Sequence, residues 1–110
     1  MRKEKIGILL KDNTIIYIEN ISKNEKRFEI NAEEFYKYLS KIKAIIHTHK
    51  ESCEPSIIDI IGMIYWNFPW IIASNNCVKS YRISDFSIFE IDINSLIPQE
   101  FNNLIVQLSQ

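Results

Sequence analysis

Both histidines of the chain stand in one His-x-His, His47-Thr48-His49. On a strand, residues i and i+2 point to the same face, so the two imidazoles would form half of a metal site. Asp59 follows ten residues after His49, with Ser56 three positions before it. Two neutral imidazoles and one carboxylate make the donor set of a catalytic zinc, which keeps its fourth position open for water. Each part also has a plainer reading. His-x-His occurs by chance in strands, and Ser56-x-x-Asp59 fits a capping box at a helix start. Their coincidence, directly after an apolar run and on the first turns of a helical segment, favours the metal reading.

The elements that would position these residues can be read from the pattern. Glu4 to Leu10 is a strand, Lys11-Asp12-Asn13 a turn, and Thr14 to Glu19 a β-branched second strand, so the pair makes a hairpin. Asn20 to Arg27 is a polar loop and Phe28-Glu29-Ile30 a short extended piece. Asn31 is placed to cap a helix with Glu33 and Glu34 in its first turn and Phe35, Tyr38 and Leu39 on one face. Ala44-Ile45-Ile46 reads as a buried strand that delivers the chain into His47. Lys50 to Glu54 is a polar loop. Pro55 is placed as the helix-start residue, and Ser56 to Trp66, apolar on more than one face, reads as a buried helix. Phe68 to Ala73, Val78 to Ile83 and Ser87 to Ile93 read as strands, with a turn at Asn75-Asn76, and Pro98 to Leu108 as a helix or closing strand. The mixture lacks a regular βαβ alternation, which predicts an α+β fold.

Composition narrows the function classes. A chain of 110 residues suits one domain, residues 1–110, with no Gly/Ser linker and no internal repeat. Thirteen basic and fourteen acidic residues leave a net charge of −1, without the basic excess of a general nucleic-acid binder. No apolar run approaches the roughly 20 residues of a membrane span. The start, Met1-Arg2-Lys3-Glu4-Lys5, lacks the form of a signal peptide, so a cytoplasmic protein is expected. Cys53 and Cys77 are too few for a disulfide framework. Cys53 is read as an incidental loop thiol and Cys77 as a strand or turn residue. Tyr65, Trp66, Phe68 and Trp70 are read as core aromatics rather than a base-stacking platform.

The stretch from His47-Thr48-His49 to Pro55-Ser56-Ile57-Ile58-Asp59 resembles the signature of the JAMM metalloproteases, also called MPN-plus or JAB. Glu4-Lys5-Ile6-Gly7-Ile8 resembles the family's Glu-x-x-Gly-apolar segment, and Asn67-Phe68-Pro69-Trp70-Ile71-Ile72-Ala73-Ser74 its prokaryotic Pro-Trp strand. The resemblance spans Glu4 to Ile83, and within the prokaryotic branch is to the JAB domain of lambda-type phage tail-assembly proteins. It implies a JAB/MPN-like, cytidine deaminase-like fold: a mixed sheet flanked by helices, here without the usual N-terminal helix. It also implies Zn2+ held by His47, His49 and Asp59. Glu4 would be the general base and then proton donor to the leaving amine, and Ser56 would stabilise the oxyanion. Zinc lowers the pKa of water from about 16 to about 7 and polarises a carbonyl. A nearby carboxylate takes the proton, and a preorganised hydroxyl offsets the developing charge.

Three departures stand beside the resemblance. The spacer from His49 to Ser56, Lys50 to Pro55, is one residue short. Lys50 replaces the customary proline, and the chain starts just before Glu4. The expected function is a zinc metallopeptidase or isopeptidase of JAMM type, acting on a peptide or a ubiquitin-like protein substrate, in phage tail assembly or a bacterial setting. The alternative is a catalytically silent JAB-fold structural or assembly protein of a phage tail tip, which would be virion-associated. A RadC-like reading shares His-x-His and Pro-Ser-x-x-Asp, but the Pro69-Trp70 strand and the short length disfavour it. Ile6, Ile8, Ile15 and Ile16 cannot all face inward if strand residues alternate. An uncovered patch beside the first strand is therefore expected, and with it a homodimer or a covering partner such as a tail or cell-wall hydrolase protein.

Overall fold

Two hydrophobic runs of β-branched residues separated by a polar tripeptide form the first hairpin, as the sequence predicts. The computed structural model describes residues 5–18, 32–50 and 52–98. Strand β1 (Ile6–Leu10) pairs antiparallel with β2 (Ile15–Ile18), setting Ile6 opposite Ile18 and Leu9 opposite Ile15. The turn closes on Asp12, whose Oδ1 accepts the Thr14 N–H at 3.0 Å, with Asn13 in the left-handed region. Strand β3 (Ile42–Thr48) lies against the other side of β1 and pairs in parallel with β4 (Trp70–Ala73). The meander β4, β5 (Val78–Ser84) and β6 (Ser87–Ile91) completes a mixed six-stranded sheet of order β2-β1-β3-β4-β5-β6. The described residues therefore form an α+β fold, as the irregular mixture of elements predicts.

The sheet buries both faces of its central strands. On one face Ile8, Ile45, Trp70 and Ile72 pack with Met63 of helix α2 (Ile57–Tyr65) and Phe35 of the short helix α1 (Ala32–Tyr36). On the other, Leu9, Ala44, Ile46, Ile71 and Ala73 pack with Leu96 and Ile97, which follow a 3-10 turn at Ile93–Ser95. A shift of register between Leu9 and Leu10 opposes Leu10 to Ile42 and leaves Lys43 as the extra residue. That bulge lets Ile42 and Ile45, three residues apart, reach the same core. Lys43 turns aside and donates to Asn13 Oδ1 at 2.9 Å.

Helix α2 supplies the one close approach that demands glycine. A Cβ on Gly62 would lie 2.3 Å from the Trp70 ring, so the helix rests directly on the indole of β4. The Trp70 Nε1–H donates to the Trp66 carbonyl at 3.3 Å and ties the helix end to the strand.

Several expectations need correction. Helix α2 is not a buried helix: Asp59, Gly62 and Met63 are buried, whereas Ile57, Ile61, Ile64 and Tyr65 are exposed. Its cap is Ser56, with Pro55 lying before it. The face of α1 is shorter than its spacing suggests. The helix ends at Tyr36 and a 3-10 turn at Leu39–Lys41 follows, which breaks the 3.6-residue phase. Phe35 is buried, Tyr38 half-buried and Leu39 exposed. Of the four aromatics read as core, Trp70 is buried, Trp66 and Phe68 are half-buried and Tyr65 is exposed. Of the residues expected to leave a patch beside β1, Ile6 and Ile8 are buried, since β1 is an inner strand with a core on each face, whereas Ile15 and Ile16 on the edge strand β2 are half-buried.

The polar loop Asn20 to Arg27, the extended piece Phe28 to Ile30, the Asn31 cap, Glu4 and the closing segment beyond Pro98 lie outside the described residues. Among the described residues no helix is long and apolar enough to cross a membrane.

Candidate metal centre

The carboxyl ends of the two parallel strands, β3 and β4, set the stage. A crevice outside such ends is the usual ligand position in sheets with a crossover helix. His47 lies in β3 between Ile6 of β1 and Ile72 of β4, and its side chain is fully buried. His49 falls one residue beyond the strand but keeps its ladder, donating its N–H to the Ala73 carbonyl at 2.8 Å. The alternation of the strand therefore persists through His49 and turns both imidazoles to the side covered by α2. Their rings stand edge-on, with centroids 5.0 Å apart.

Between them, Thr48 takes the opposite direction and fastens the start of β1. The Lys5 N–H donates to Thr48 Oγ1 at 2.8 Å, and the Thr48 N–H donates to the Lys5 carbonyl at 3.0 Å. Thr48 is thus more than a spacer. It holds the backbone at Lys5 against the strand that carries the histidines.

Asp59 arrives from the first turn of α2. The capping box is fully formed: the Ser56 Oγ accepts the Asp59 N–H at 3.2 Å, and Asp59 Oδ2 accepts the Ser56 N–H at 2.8 Å. The Ser56 hydroxyl also donates to Asp59 Oδ2, at 2.9 Å. The capping and ligand readings of Ser56-x-x-Asp59 are therefore compatible. The cap locks the carboxylate's rotamer while the same group faces the histidines. Asp59 Oδ1 is hydrogen-bonded to His47 Nδ1, and Oδ2 lies 2.8 Å from His49 Nε2.

The electrostatics follow from this geometry. Burial drives the Asp59 carboxyl upward, but the hydrogen bonds from His47 and His49 outweigh it and hold the group well below its ordinary range, helped by the Ser56 N–H. Asp59 is therefore a buried carboxylate anion. One ligand atom from each of His47, His49 and Asp59 lies within 4.8 Å of the others, so these three residues could hold a metal ion. The donor set fits a transition metal: two imidazoles and one carboxylate, with the His49 side chain 12% exposed as the open side.

The outer contacts fix the ring of His49. Its Nδ1 lies 3.1 Å from the Ser52 carbonyl, which fixes the direction of the ring while Nε2 faces Asp59 Oδ2. Ser52 belongs to the loop between His49 and Ser56, and the next residue overturns an expectation. Cys53 is no incidental thiol: it forms a disulfide with Cys77, just before β5. The clue becomes readable only once the strand order is known. Cys53 follows β3 and Cys77 follows β4, so pairing those two strands side by side brings the cysteines together. Tyr81 was also missed. It donates its hydroxyl to the Cys53 carbonyl at 2.8 Å, and burial together with the charges of Glu54, Glu90 and Asp59 raises its pKa to about 12.

Of the residues singled out by sequence, the structure brings together His47, His49, Asp59 and Ser56. Glu4 lies outside the described residues. Neither family models nor curated proteins match this chain.

Proposed function

We propose that this protein is a zinc-dependent hydrolase of the JAMM type with a JAB/MPN-like fold, cleaving a peptide or isopeptide bond. The observation that carries the reading is the convergence of His47, His49 and Asp59 at the carboxyl end of β3, with the carboxylate fixed by its own helix cap. The mixed sheet and the crossover helix between the paired parallel strands β3 and β4 support the fold assignment.

Zn2+ held by His47, His49 and Asp59 would acidify water and polarise a carbonyl. The remaining chemistry belongs to side chains. Ser56 is exposed at the rim, and its hydroxyl would turn from Asp59 to a substrate carbonyl oxygen as negative charge develops there. Glu4 is assigned the proton-handling role, first taking a proton from the attacking water and then giving it to the leaving amine. Its neighbour Lys5 is bonded on both backbone sides to Thr48, midway between the two histidines, which supports that assignment.

A second reading has its own observation. Ile57, Ile61, Ile64 and Tyr65 line the outer side of α2, and Phe86 is 95% exposed at the β5–β6 turn, with Asp85 and Phe86 both at positive φ. An apolar surface of this kind suits an assembly protein that keeps the fold without the reaction.

Elemental analysis after reconstitution at neutral pH tests the first reading. Wild type should carry one zinc per chain, and His47→Ala none. Glu4→Gln should keep the zinc and lose peptide cleavage. Absence of zinc from the wild type overturns the metallopeptidase and leaves the assembly reading, whereas wild-type cleavage by Glu4→Gln removes Glu4 from the mechanism.

A further inference from the structure

The loop between His49 and Ser56 carries a metal ligand at one end and the cap of another ligand at the other. Its middle is fastened to the sheet by the Cys53–Cys77 disulfide. Cys53 is 3% exposed, and its carbonyl accepts the Tyr81 hydroxyl. Cys77 is half-buried and so forms the open side of the bond. The buried Ser74 packs its Oγ against both sulfurs, 3.6 Å from Cys53 Sγ and 3.2 Å from Cys77 Sγ. Ser74 also donates its N–H to the Cys77 carbonyl at 2.9 Å. The loop residue before Cys53 is Ser52, whose carbonyl contacts Nδ1 and orients the His49 ring. A covalent tether on one residue thus reaches a ligand through its neighbour's carbonyl.

We propose that the Cys53–Cys77 disulfide is a redox latch that positions His49, and that a dithiol reductant opens it and weakens the metal site. The inference rests on the metal reading above. In the opening step a thiolate of the dithiol attacks Cys77 Sγ, the accessible sulfur. The S–S bond breaks and Cys53 leaves as a thiolate that takes up a proton, beside the Ser74 hydroxyl. The second thiol of the reductant then attacks the mixed disulfide and releases Cys77 as a thiol. Two electrons and two protons pass to the protein, and the reductant ends as a disulfide. The loop then keeps the Tyr81 hydrogen bond to the Cys53 carbonyl but loses its covalent tether, so the Ser52 carbonyl is held less firmly against the His49 ring. The His49 ring loses its fixed direction, while His47 in β3 and Asp59 in its cap keep theirs.

Cobalt alone is the probe, since its visible spectrum reports the ligand geometry. The oxidised protein, the dithiol-reduced protein freed of reductant without air, and the Cys53→Ser/Cys77→Ser variant are each titrated with Co2+. The oxidised form should bind one Co2+. The reduced form and the variant should bind roughly tenfold to a hundredfold more weakly, the usual loss when an outer-shell partner of a ligand is removed, with an altered spectrum. Reoxidation by a small disulfide should restore both. Hydrogen exchange without metal separates a latch from a general staple. Loss of protection should be confined to residues 49–56 and 74–77, and loss throughout β3 and β4 overturns the latch. Equal affinity and spectrum in the oxidised and reduced forms also overturn it while leaving the metal site intact. Failure of the oxidised form to bind Co2+ overturns the metal reading and the latch together.

Discussion

The two faces of the sheet are built on different principles. Behind it, Leu9, Ala44, Ile46, Ile71, Ala73, Leu96 and Ile97 make an apolar layer, in which the buried hydroxyls of Thr48 and Ser80 are bonded to backbone and no charge is buried among the described residues. In front, the same strands present Ile45, Trp70, Ile72 and His47, and α2 brings Asp59 to the same depth. The back layer lowers the free energy of folding by removing apolar surface from water. The front layer gives up part of that gain, because a buried carboxylate must be compensated by partners. Each compensation has a visible source: a capping box for Asp59, an Asp59 oxygen for each histidine, a Ser52 carbonyl for the far side of His49. One face holds the fold, and the other holds charges in place.

Substitutions on the two faces should therefore separate metal binding from stability. The largest effect is expected for Asp59→Ala. Metal affinity should fall by more than the roughly hundredfold that an outer-shell loss can cost, because a ligand is removed outright. Isothermal titration with Zn2+ reads it, and retention of near wild-type affinity would place the ligand elsewhere. Ile46→Ala on the back face should do the reverse. A fully buried isoleucine truncated in a packed layer costs about 2–5 kcal/mol of stability. Zinc stoichiometry in the folded fraction should remain one per chain, as urea melts paired with metal analysis would show.

Gly62→Ala sharpens the contrast, since it joins the two properties. Its Cβ would strike the Trp70 ring, which is held by β4, so α2 must move away. Overpacking of this kind costs about 1–3 kcal/mol. Asp59 sits one turn earlier on the same helix, so affinity for metal should decline together with the melting temperature. If stability falls while affinity holds, the helix start is independent of its seat on Trp70.

Tyr81→Phe should cost a comparable amount, about 1–3 kcal/mol, for leaving the Cys53 carbonyl without its donor, with the smallest effect on the metal site because its hydroxyl bonds to the loop backbone and not to a ligand. It carries a pH signature. Tyr81 has a folded pKa raised from 10.0 to about 12, so its neutral form is favoured in the native state. That contribution is complete below 10.0 and is lost as pH rises towards about 12. Denaturation across that alkaline window should show a steeper decline for wild type than for Tyr81→Phe. Parallel curves would show that the hydroxyl contributes no pH-linked stability.

Local features were legible in the sequence because their causes lie within a few residues. The hairpin turn at Lys11-Asp12-Asn13, the strand that delivers His47 and the Ser56-x-x-Asp59 cap each depend on neighbours in the chain. So does the common direction of His47 and His49, which strand alternation sets two residues apart. The burial of α2 was misread for the opposite reason. Ile57, Ile61, Ile64 and Tyr65 are as apolar as a core stripe, and only the seat of Gly62 on Trp70 decides which side faces inward. The burial of Ile6 and Ile8 likewise depends on tertiary structure, since an apolar layer covers each face of β1.

By itself, then, the amino-acid sequence determined the order of strands and turns, the metal-type donor set His47, His49 and Asp59, and the cap that holds the carboxylate. The tertiary structure alone decided that β3 and β4 run side by side, which brings Cys53 to Cys77 and ties the loop after His49 to the segment between β4 and β5. Periodicity and capping act over one or two turns of chain, whereas strand pairing joins residues more than twenty positions apart. No local preference encodes such a pairing; it is set by which arrangement buries the two apolar layers at once.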